Sequence, residues 1–423
     1  MKVLLIIIFT IASIASFWQF LRSKYKLSPL LLMLSAWFIA IAISQLHLSS
    51  LELIWPIKYW YLIFVSLASF VLGVIFVDKV VIPTDKEKLT NSLGMTDTQK
   101  LRLIIYFLFA ISLVALYFFY KKAGNFPLFA KDPDAFRFAA DDQVPGLINY
   151  CAQLARIFIP LSFFLIFFQT FSWKKHWNLV FFSLIGAGSL ILFTSRTQIF
   201  FIDLWVMALY LLMRKPNFKQ AIKFYPFFLA VSIVVLAAVP LIRQYRSYGA
   251  DYLGHITGIN IASGNQIAKA FLPIYVGISF NQQALLRAEN YYQTHELLYG
   301  RVSLDPFTNL LGKIIKPLNK FKSHYDLGAI FYSWWNTGTY LFPFVQDFGT
   351  AAFYFVPFII AGILTLVWRY WESSPNFLSL NLYAYAMFFI VMTVYLSFTV
   401  RAEMYIDLAL LFVSYFFVSK NEG

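Results

Sequence analysis

The chain has 423 residues, of which 60% are hydrophobic, 20% aromatic and only 13% charged. This composition and a mean hydropathy of +0.68 exclude an ordinary soluble domain and predict a polytopic membrane protein. The net charge of +14 does not indicate nucleic acid as a partner, because most basic residues lie in short segments that flank hydrophobic runs. The single cysteine, Cys151, excludes a disulfide framework and a cysteine-based zinc site.

Hydrophobic runs of about 20 residues, the length that crosses a bilayer as an α-helix, follow one another along the chain. Arg22, Lys24 and Lys26 follow the first run, which favours a transmembrane helix with its N-terminus outside over a cleavable signal peptide. We predict an all-α protein with about eleven transmembrane helices, at 3–21, 28–45, 57–77, 103–120, 147–170, 178–195, 198–213, 221–242, 346–368, 379–399 and 403–419.

With the N-terminus outside, the C-terminus is predicted to be cytoplasmic. The predicted cytoplasmic connections are 22–27, 78–102, 171–177, 214–220 and 369–378. The short basic segments then fall on the cytoplasmic side, which agrees with the usual bias of Lys and Arg.

Two predicted extracytoplasmic segments interrupt the helices. Residues 1–242 hold eight helices and a first external loop at 121–146, residues 243–345 form one long external loop, and residues 346–423 hold the last three helices. Within the long loop, the apolar run from Ile267 to Phe280 is only about fourteen residues long, which predicts an interfacial or re-entrant segment rather than a further span.

Arginine is distributed differently from lysine. Of twelve arginines, four are predicted to be cytoplasmic. The others lie on the outer side or in the outer half of a span: Arg137, Arg156, Arg196, Arg243, Arg246, Arg287, Arg301 and Arg401. A guanidinium grips phosphate or carboxylate oxygens in a bidentate way, so this group predicts an anionic ligand. For any one arginine, snorkelling to headgroup phosphates or pairing with Asp or Glu is the alternative interpretation.

Several short motifs carry a resemblance to a known family. These are Ser195-Arg196-Thr197 at the head of an apolar helix, Phe126-Pro127-Leu128-Phe129 before Arg137, the Arg243-x-x-Arg246 entrance to the long loop, its Asp347-Phe348-Gly349 exit and Arg401-Ala402-Glu403. The first four resemble motifs of the O-antigen and capsular polysaccharide polymerase family. The last is similar to a pair near the end of the enterobacterial common antigen polymerases.

The resemblance implies a GT-C-like membrane glycosyltransferase of the bacterial inner membrane, with its active site facing the periplasm. Such an enzyme takes undecaprenyl-pyrophosphate-linked glycans as donor and acceptor, needs no cofactor, and works among membrane lipids with a chain-length regulator protein as a further partner. A ligase of the same fold, which moves glycan to another acceptor, and a flippase or transporter for the same lipid-linked glycan are the alternatives. Transporters typically show inverted repeats or broken helices.

The departing pyrophosphate needs its charge stabilised in the transition state. The sequence has no convincing Asp-x-Asp motif or histidine cluster on the outer face, so no metal site is predicted. We expect arginines to act instead: Arg196, Arg243 and Arg246 first, then Arg156 and Arg401, with Arg137, Arg287 and Arg301 also binding substrate.

A general base for the acceptor hydroxyl would be a carboxylate or an imidazole near these arginines. The candidates are Asp251, His255, Glu289 and Glu403, and the likeness to O-antigen ligases keeps His255 and His324 among them. Aromatic residues of the long loop are candidates for stacking on sugars or, alternatively, belong to the interfacial aromatic belt: Tyr291, Tyr292, Trp334, Trp335 and Tyr340.

Overall fold

The computed structural model describes residues 2–22, 27–81, 96–169, 171–214, 246–249, 251–261, 265–312, 315–321 and 330–419. Within them the regular structure is helical apart from one isolated β-bridge between Thr96 and Ser419. The α-helices are α1 (Lys2–Arg22), α2 (Pro29–Ser44), α3 (Ile57–Phe76), α4 (Thr98–Ala123), α5 (Pro133–Gln143), α6 (Gly146–Ala152), α7 (Ala155–Gln169), α8 (Trp173–Leu192), α9 (Arg196–Arg214), α10 (Tyr252–Thr257), α11 (Gln266–Tyr291), α12 (Asp305–Leu311), α13 (Phe342–Phe348), α14 (Ala352–Ser373), α15 (Phe377–Met392) and α16 (Ala402–Val418).

The predicted all-α class and the membrane character are confirmed. Among the described residues, seven helical segments are long and apolar enough to cross a membrane: Lys2–Arg22, Ile57–Val80, Thr98–Ala123, Gly146–Gln169, Trp173–Leu192, Thr197–Arg214 and Phe342–Ser373. Two shorter apolar helices, Pro29–Ser44 and Phe377–Met392, also coincide with predicted spans. The total of eleven stays a prediction, and the expected span at 221–242 lies outside the described residues.

The segment at 267–280 was predicted to be only about fourteen residues long, and that length was wrong. These residues belong to α11, a single helix of 26 residues from Gln266 to Tyr291. The sequence estimate stopped at Phe280 because Asn281, Gln282 and Gln283 follow it, but all three side chains are fully buried. Their polar atoms bond to neighbouring segments, so they continue the helix instead of ending it.

The chain forms two compact units. Unit 1 comprises Met1–Thr90, Tyr275–Ser374 and Ala386–Leu408. Unit 2 comprises Asn91–Ile274, Pro375–Tyr385 and Ala409–Gly423.

In unit 1, α3 packs directly on α14. A Cβ added at Gly73 would lie 2.5 Å from the carbonyl oxygen of Phe358 and 2.9 Å from the Cβ of Ala361, so only glycine allows this approach of the two backbones. Further along the same pair of helices, the guanidinium of Arg369 bonds to Asp78 and to Glu372. The two helices therefore run in the same direction.

In unit 2, α4, α7, α8 and α9 pack side by side. Near the start of α4 and α8, Arg102 Nη2 donates to the carbonyl oxygen of Lys175 at 3.2 Å. At the other end of α4 and α8, Phe119 and Phe193 meet with their ring centroids 4.7 Å apart. These two helices therefore run in the same direction, and the predicted arginine motifs lie at their C-terminal ends.

Candidate functional site

One hydrophobic cluster in unit 2 gathers most of the predicted basic motifs. We call it the Phe119 cluster, and its buried members are Ala115, Phe119, Ala140, Val144, Ala152 and Phe193. Phe126, Phe136, Ile148 and Cys151 pack against it. The cluster joins the end of α4, helices α5 and α6 and the turn between α8 and α9, which come from distant parts of the sequence.

Four predicted arginines lie close in the sequence to members of this cluster or bond to a segment next to them. Arg196 is the first residue of α9, three residues after Phe193. Arg137 follows Phe136 in α5. Arg156 is the second residue of α7, four residues after Ala152, and Arg246 bonds to the segment that follows Phe126, as described next. The side chain of Arg196 lies outside the described part of the structure, as does the whole of Arg243.

Arg246, at the start of the long loop, forms hydrogen bonds to the Phe-Pro-Leu-Phe segment and to the residue that follows it. Its Nη1 donates to the carbonyl oxygen of Leu128, and its Nη2 donates to that of Ala130 at 2.7 Å. The next residue, Ser247, accepts a hydrogen bond from the backbone N–H of Asp134 at 3.2 Å. The hydroxyl of Ser247 also holds the pKa of Asp132 below its usual value. Arg246 of the Arg-x-x-Arg motif is therefore in direct contact with the Phe-Pro-Leu-Phe motif, although the two are far apart in the sequence.

Arg156 is buried, with 3% of its surface exposed, and its guanidinium carbon lies 4.4 Å from the ring centre of Tyr150. A buried charge of this kind typically faces a partner or a cavity. Arg137 is half-buried and lies 5.3 Å from the ring centre of Phe138. The cation–π contact orients both guanidinium groups.

Two candidate bases also lie in unit 2. The carboxylate of Asp251 pairs with Lys269 Nζ at 2.6 Å, and the hydrogen bond and charge of Lys269 lower the pKa of Asp251. A lowered pKa makes this carboxylate a weaker proton acceptor, so its geometry fits substrate binding better than general-base chemistry. His255 is exposed on α10, one helical turn after Asp251.

Unit 1 holds the remaining described candidates, which are Arg287, Glu289, Arg301, Arg401 and Glu403. The guanidinium of Arg287 lies 5.1 Å from the ring centres of both Phe331 and Tyr332. Its Nη2 donates to the carbonyl oxygen of Leu51 at 3.3 Å and to the Tyr332 hydroxyl at 3.2 Å. Arg287 therefore ties the 46–56 connection and the 330–335 segment to α11.

Glu289 has the surroundings of a structural charge. It is 2% exposed, and its Oε1 lies 2.7 Å from Lys58 Nζ. The same oxygen accepts hydrogen bonds from Gln293 Nε2 at 2.9 Å and from the Thr350 hydroxyl at 3.3 Å. A carboxylate held in this way by an ammonium, an amide and a hydroxyl is poorly placed to take a further proton from a substrate.

The Asp347-Phe348-Gly349 motif has a structural function in unit 1. The fully buried carboxylate of Asp347 accepts hydrogen bonds from the backbone N–H groups of Val302 at 3.0 Å and Ser303 at 2.7 Å. This contact fixes the turn that carries the exposed Arg301. Near the other end of the unit's sequence, Arg401 is exposed and Glu403 is half-buried in the first turn of α16.

The aromatic residues that are candidates for stacking on sugars differ in how much of their side chains is exposed. Tyr340 is 1% exposed and packs edge-on against Trp37, so it presents no face to a ligand, and that expectation was wrong. Trp334 and Trp335 are half-buried and contact Phe280. Tyr291 is exposed and stacks on His295 at 3.7 Å, with Tyr292 beside it. His324 lies outside the described residues.

Sequence reasoning missed the partners of these residues. Lys58, Lys269 and Ser247 neutralise or orient Glu289, Asp251 and Asp132, but nothing in their local sequence marks them for that role. A signal that was available is the Asn281-Gln282-Gln283 run inside an apolar helix, since such residues must find hydrogen-bond partners. Within the part of the chain that the structure describes, no three His, Cys, Asp or Glu residues gather as a metal site would require.

Comparison of the chain with protein-family models, with curated proteins and with solved structures finds no match. The functional assignment therefore rests on the residues of this chain and on the arrangement of its helices.

Proposed function

We propose that the protein is a membrane glycosyltransferase of GT-C-like architecture that polymerises undecaprenyl-pyrophosphate-linked oligosaccharide repeat units on the outer face of the bacterial inner membrane. The observation that carries the proposal is the Phe119 cluster, because Arg137, Arg156 and Arg196 lie within four residues of its members in the sequence and Arg246 bonds to the segment that follows Phe126. Arginines near the ends of apolar helices suit a ligand with a pyrophosphate head and a polyprenyl tail.

The arginines have different parts in this proposal. Arg246 is a positioning residue, because two of its nitrogens bond to the carbonyl oxygens of Leu128 and Ala130. Arg137, Arg156 and Arg196 bind the pyrophosphate, and their charge stabilises the leaving group as its bond to the sugar breaks. His255 is the proposed general base, because it is exposed in the same unit whereas Asp251 is paired with Lys269.

The arrangement of helix ends supports the predicted topology. Arg102 and Lys175, which are both predicted to be cytoplasmic, are in contact at the end of unit 2 away from the Phe119 cluster. In unit 1, Asp78 and Arg369, also predicted to be cytoplasmic, form an ion pair. Each of these contacts joins two segments that the topology places on one face of the membrane.

The test uses the purified full-length chain in lipid nanodiscs, supplied with a lipid-linked repeat unit. A ladder of products on a gel supports polymerisation. A single shifted band, formed only when another acceptor is supplied, indicates a ligase. Movement of the intact lipid-linked glycan across proteoliposomes without any product indicates a flippase, and either of these outcomes would overturn the proposal.

The variants Arg196→Lys and Arg196→Ala test whether Arg196 binds the pyrophosphate. Lysine keeps the charge but loses the bidentate fork, so both variants should be strongly impaired. A charge-assisted hydrogen bond contributes about 1.5–3 kcal/mol, which corresponds to about a ten- to hundredfold loss of rate. The control is Arg102→Lys, which changes an arginine at the opposite end of unit 2. Near-normal ladders from Arg196→Lys would refute pyrophosphate binding by this residue.

A further inference from the structure

Two tyrosines form a stacked pair at the start of the long loop, next to Arg246. The rings of Tyr248 and Tyr252 lie 4.2 Å apart between centroids, with an angle of 18° between their planes. Tyr248 is 46% exposed, so the stack covers one face of its ring and leaves ring surface open. Between them in the sequence, Gly249 has φ of +89°, a conformation that favours glycine.

Polar contacts fix this pair on both sides. Before it, Arg246 bonds to the carbonyl oxygen of Ala130 and Ser247 accepts from the N–H of Asp134. After it, Asp251 pairs with Lys269 at 2.6 Å. An exposed aromatic ring whose backbone is held at both ends is a preorganised surface, and binding to it loses little conformational entropy.

The groups around the pair match the chemistry of a sugar. The C–H bonds on one face of a pyranose ring pack against the electron-rich face of an aromatic ring, and the hydroxyl groups at its rim need donors and acceptors. The Asp251 side chain is 59% exposed and can accept from a hydroxyl, Lys269 can donate, and His255 can do either.

We propose that Tyr248, with Asp251 and Lys269, forms a subsite for the pyranose ring attached to the pyrophosphate of the lipid-linked donor. This inference rests on the proposed function, because Arg246, two residues before Tyr248, bonds to the segment that follows Phe126 of the Phe119 cluster. The Asp251–Lys269 pair, which adjoins Tyr252 in the chain, supplies an acceptor and a donor for hydroxyl groups, so the observations favour a sugar over the membrane surface.

The test compares two probes on the full-length protein in nanodiscs of fixed composition: undecaprenyl pyrophosphate and the same lipid carrying the repeat unit. The unsubstituted chain should bind the glycan-bearing lipid more tightly. Tyr248→Ala should weaken binding of that lipid about tenfold, the size expected for a lost stacking contact, and leave binding of undecaprenyl pyrophosphate unchanged. Tyr248→Phe keeps the ring and should bind both probes almost normally.

The control variant is Tyr299→Ala, which removes a tyrosine that is 78% exposed elsewhere in the long loop and should affect neither probe. An equal loss for both probes in Tyr248→Ala would show a structural or membrane-surface role and overturn the subsite. Unchanged binding of both probes would overturn it as well. If the unsubstituted chain binds neither probe and forms no ladder, the proposed function itself fails, which is a distinguishable result.

Discussion

The ion pair between Lys58 and Glu289 allows a prediction of which substitution lowers the free energy of unfolding more. Glu289 is 2% exposed whereas the side chain of Lys58 is 50% exposed, and the two atoms lie 2.7 Å apart. We consider Lys58→Met, which keeps the apolar stem, Glu289→Gln, which keeps the shape, and the double variant. The expected costs differ because the two residues differ in their access to water.

Removing the lysine charge leaves a buried carboxylate with hydrogen bonds from Gln293 and Thr350 but without its ammonium. Breaking a fully buried pair costs about 3–5 kcal/mol, but the exposure of Lys58 reduces this, and the range for a charged hydrogen bond, about 1.5–3 kcal/mol, applies. Glu289→Gln leaves only a half-exposed lysine, which water can solvate, so its cost should be about 1 kcal/mol. The double variant leaves no unpaired charge, so its free energy of unfolding should be close to that of Glu289→Gln.

The measurement is the free energy of unfolding of the four proteins by denaturant titration in detergent, together with ladder formation per folded protein. The expected order of stability is unsubstituted chain, then Glu289→Gln and the double variant together, then Lys58→Met. Folded Glu289→Gln should still form ladders. Equal stabilities for Lys58→Met and Glu289→Gln would refute the argument from burial. A stable Glu289→Gln that forms no ladder would instead make Glu289 a chemical participant.

Three further predictions concern topology, metal and packing. In a Cys151→Ser background, a cysteine at exposed Glu296 should react with a membrane-impermeant thiol reagent added outside, and one at exposed Lys174 should not; labelling of the second from outside would reverse the topology. Ladder formation should survive EDTA, since arginines are proposed to stabilise the leaving group, and loss that Mg²⁺ or Mn²⁺ restores would count against that role. Gly73→Ala should lower thermal stability because its Cβ would meet a backbone oxygen at 2.5 Å, whereas Gly188→Ala, with nothing within 4 Å, should be neutral or slightly stabilising.

The helix positions were predictable because the apolar runs are long and few polar residues interrupt them. The prediction failed at α11, where Asn281, Gln282 and Gln283 look like the end of a helix until their partners are known. It also missed the breaks in two predicted spans. The span at 147–170 divides into α6 and α7, and the span at 346–368 is interrupted at Gly349, which has φ of +58°.

The candidate site was predictable as a set of residue types but not as a set of contacts. A surplus of arginine outside the predicted cytoplasmic loops can be read directly from the sequence. That Arg246 bonds to the carbonyl oxygens of Leu128 and Ala130 cannot, because the residues lie more than a hundred positions apart. The same is true of Glu289 and Lys58, which come together only through the packing of unit 1.

The polar face of α11 explains why outward-facing arginines should not all be assigned to substrate. The connection between α2 and α3 lies against this helix, and its backbone groups need partners where protein replaces water. Gln283 bonds to both the N–H and the carbonyl oxygen of Leu53, and Glu52 accepts from the hydroxyl of Tyr275 at 2.6 Å. Arg287 continues this series at the carbonyl oxygen of Leu51. Like Arg246, it satisfies backbone oxygens, so we assign both to positioning.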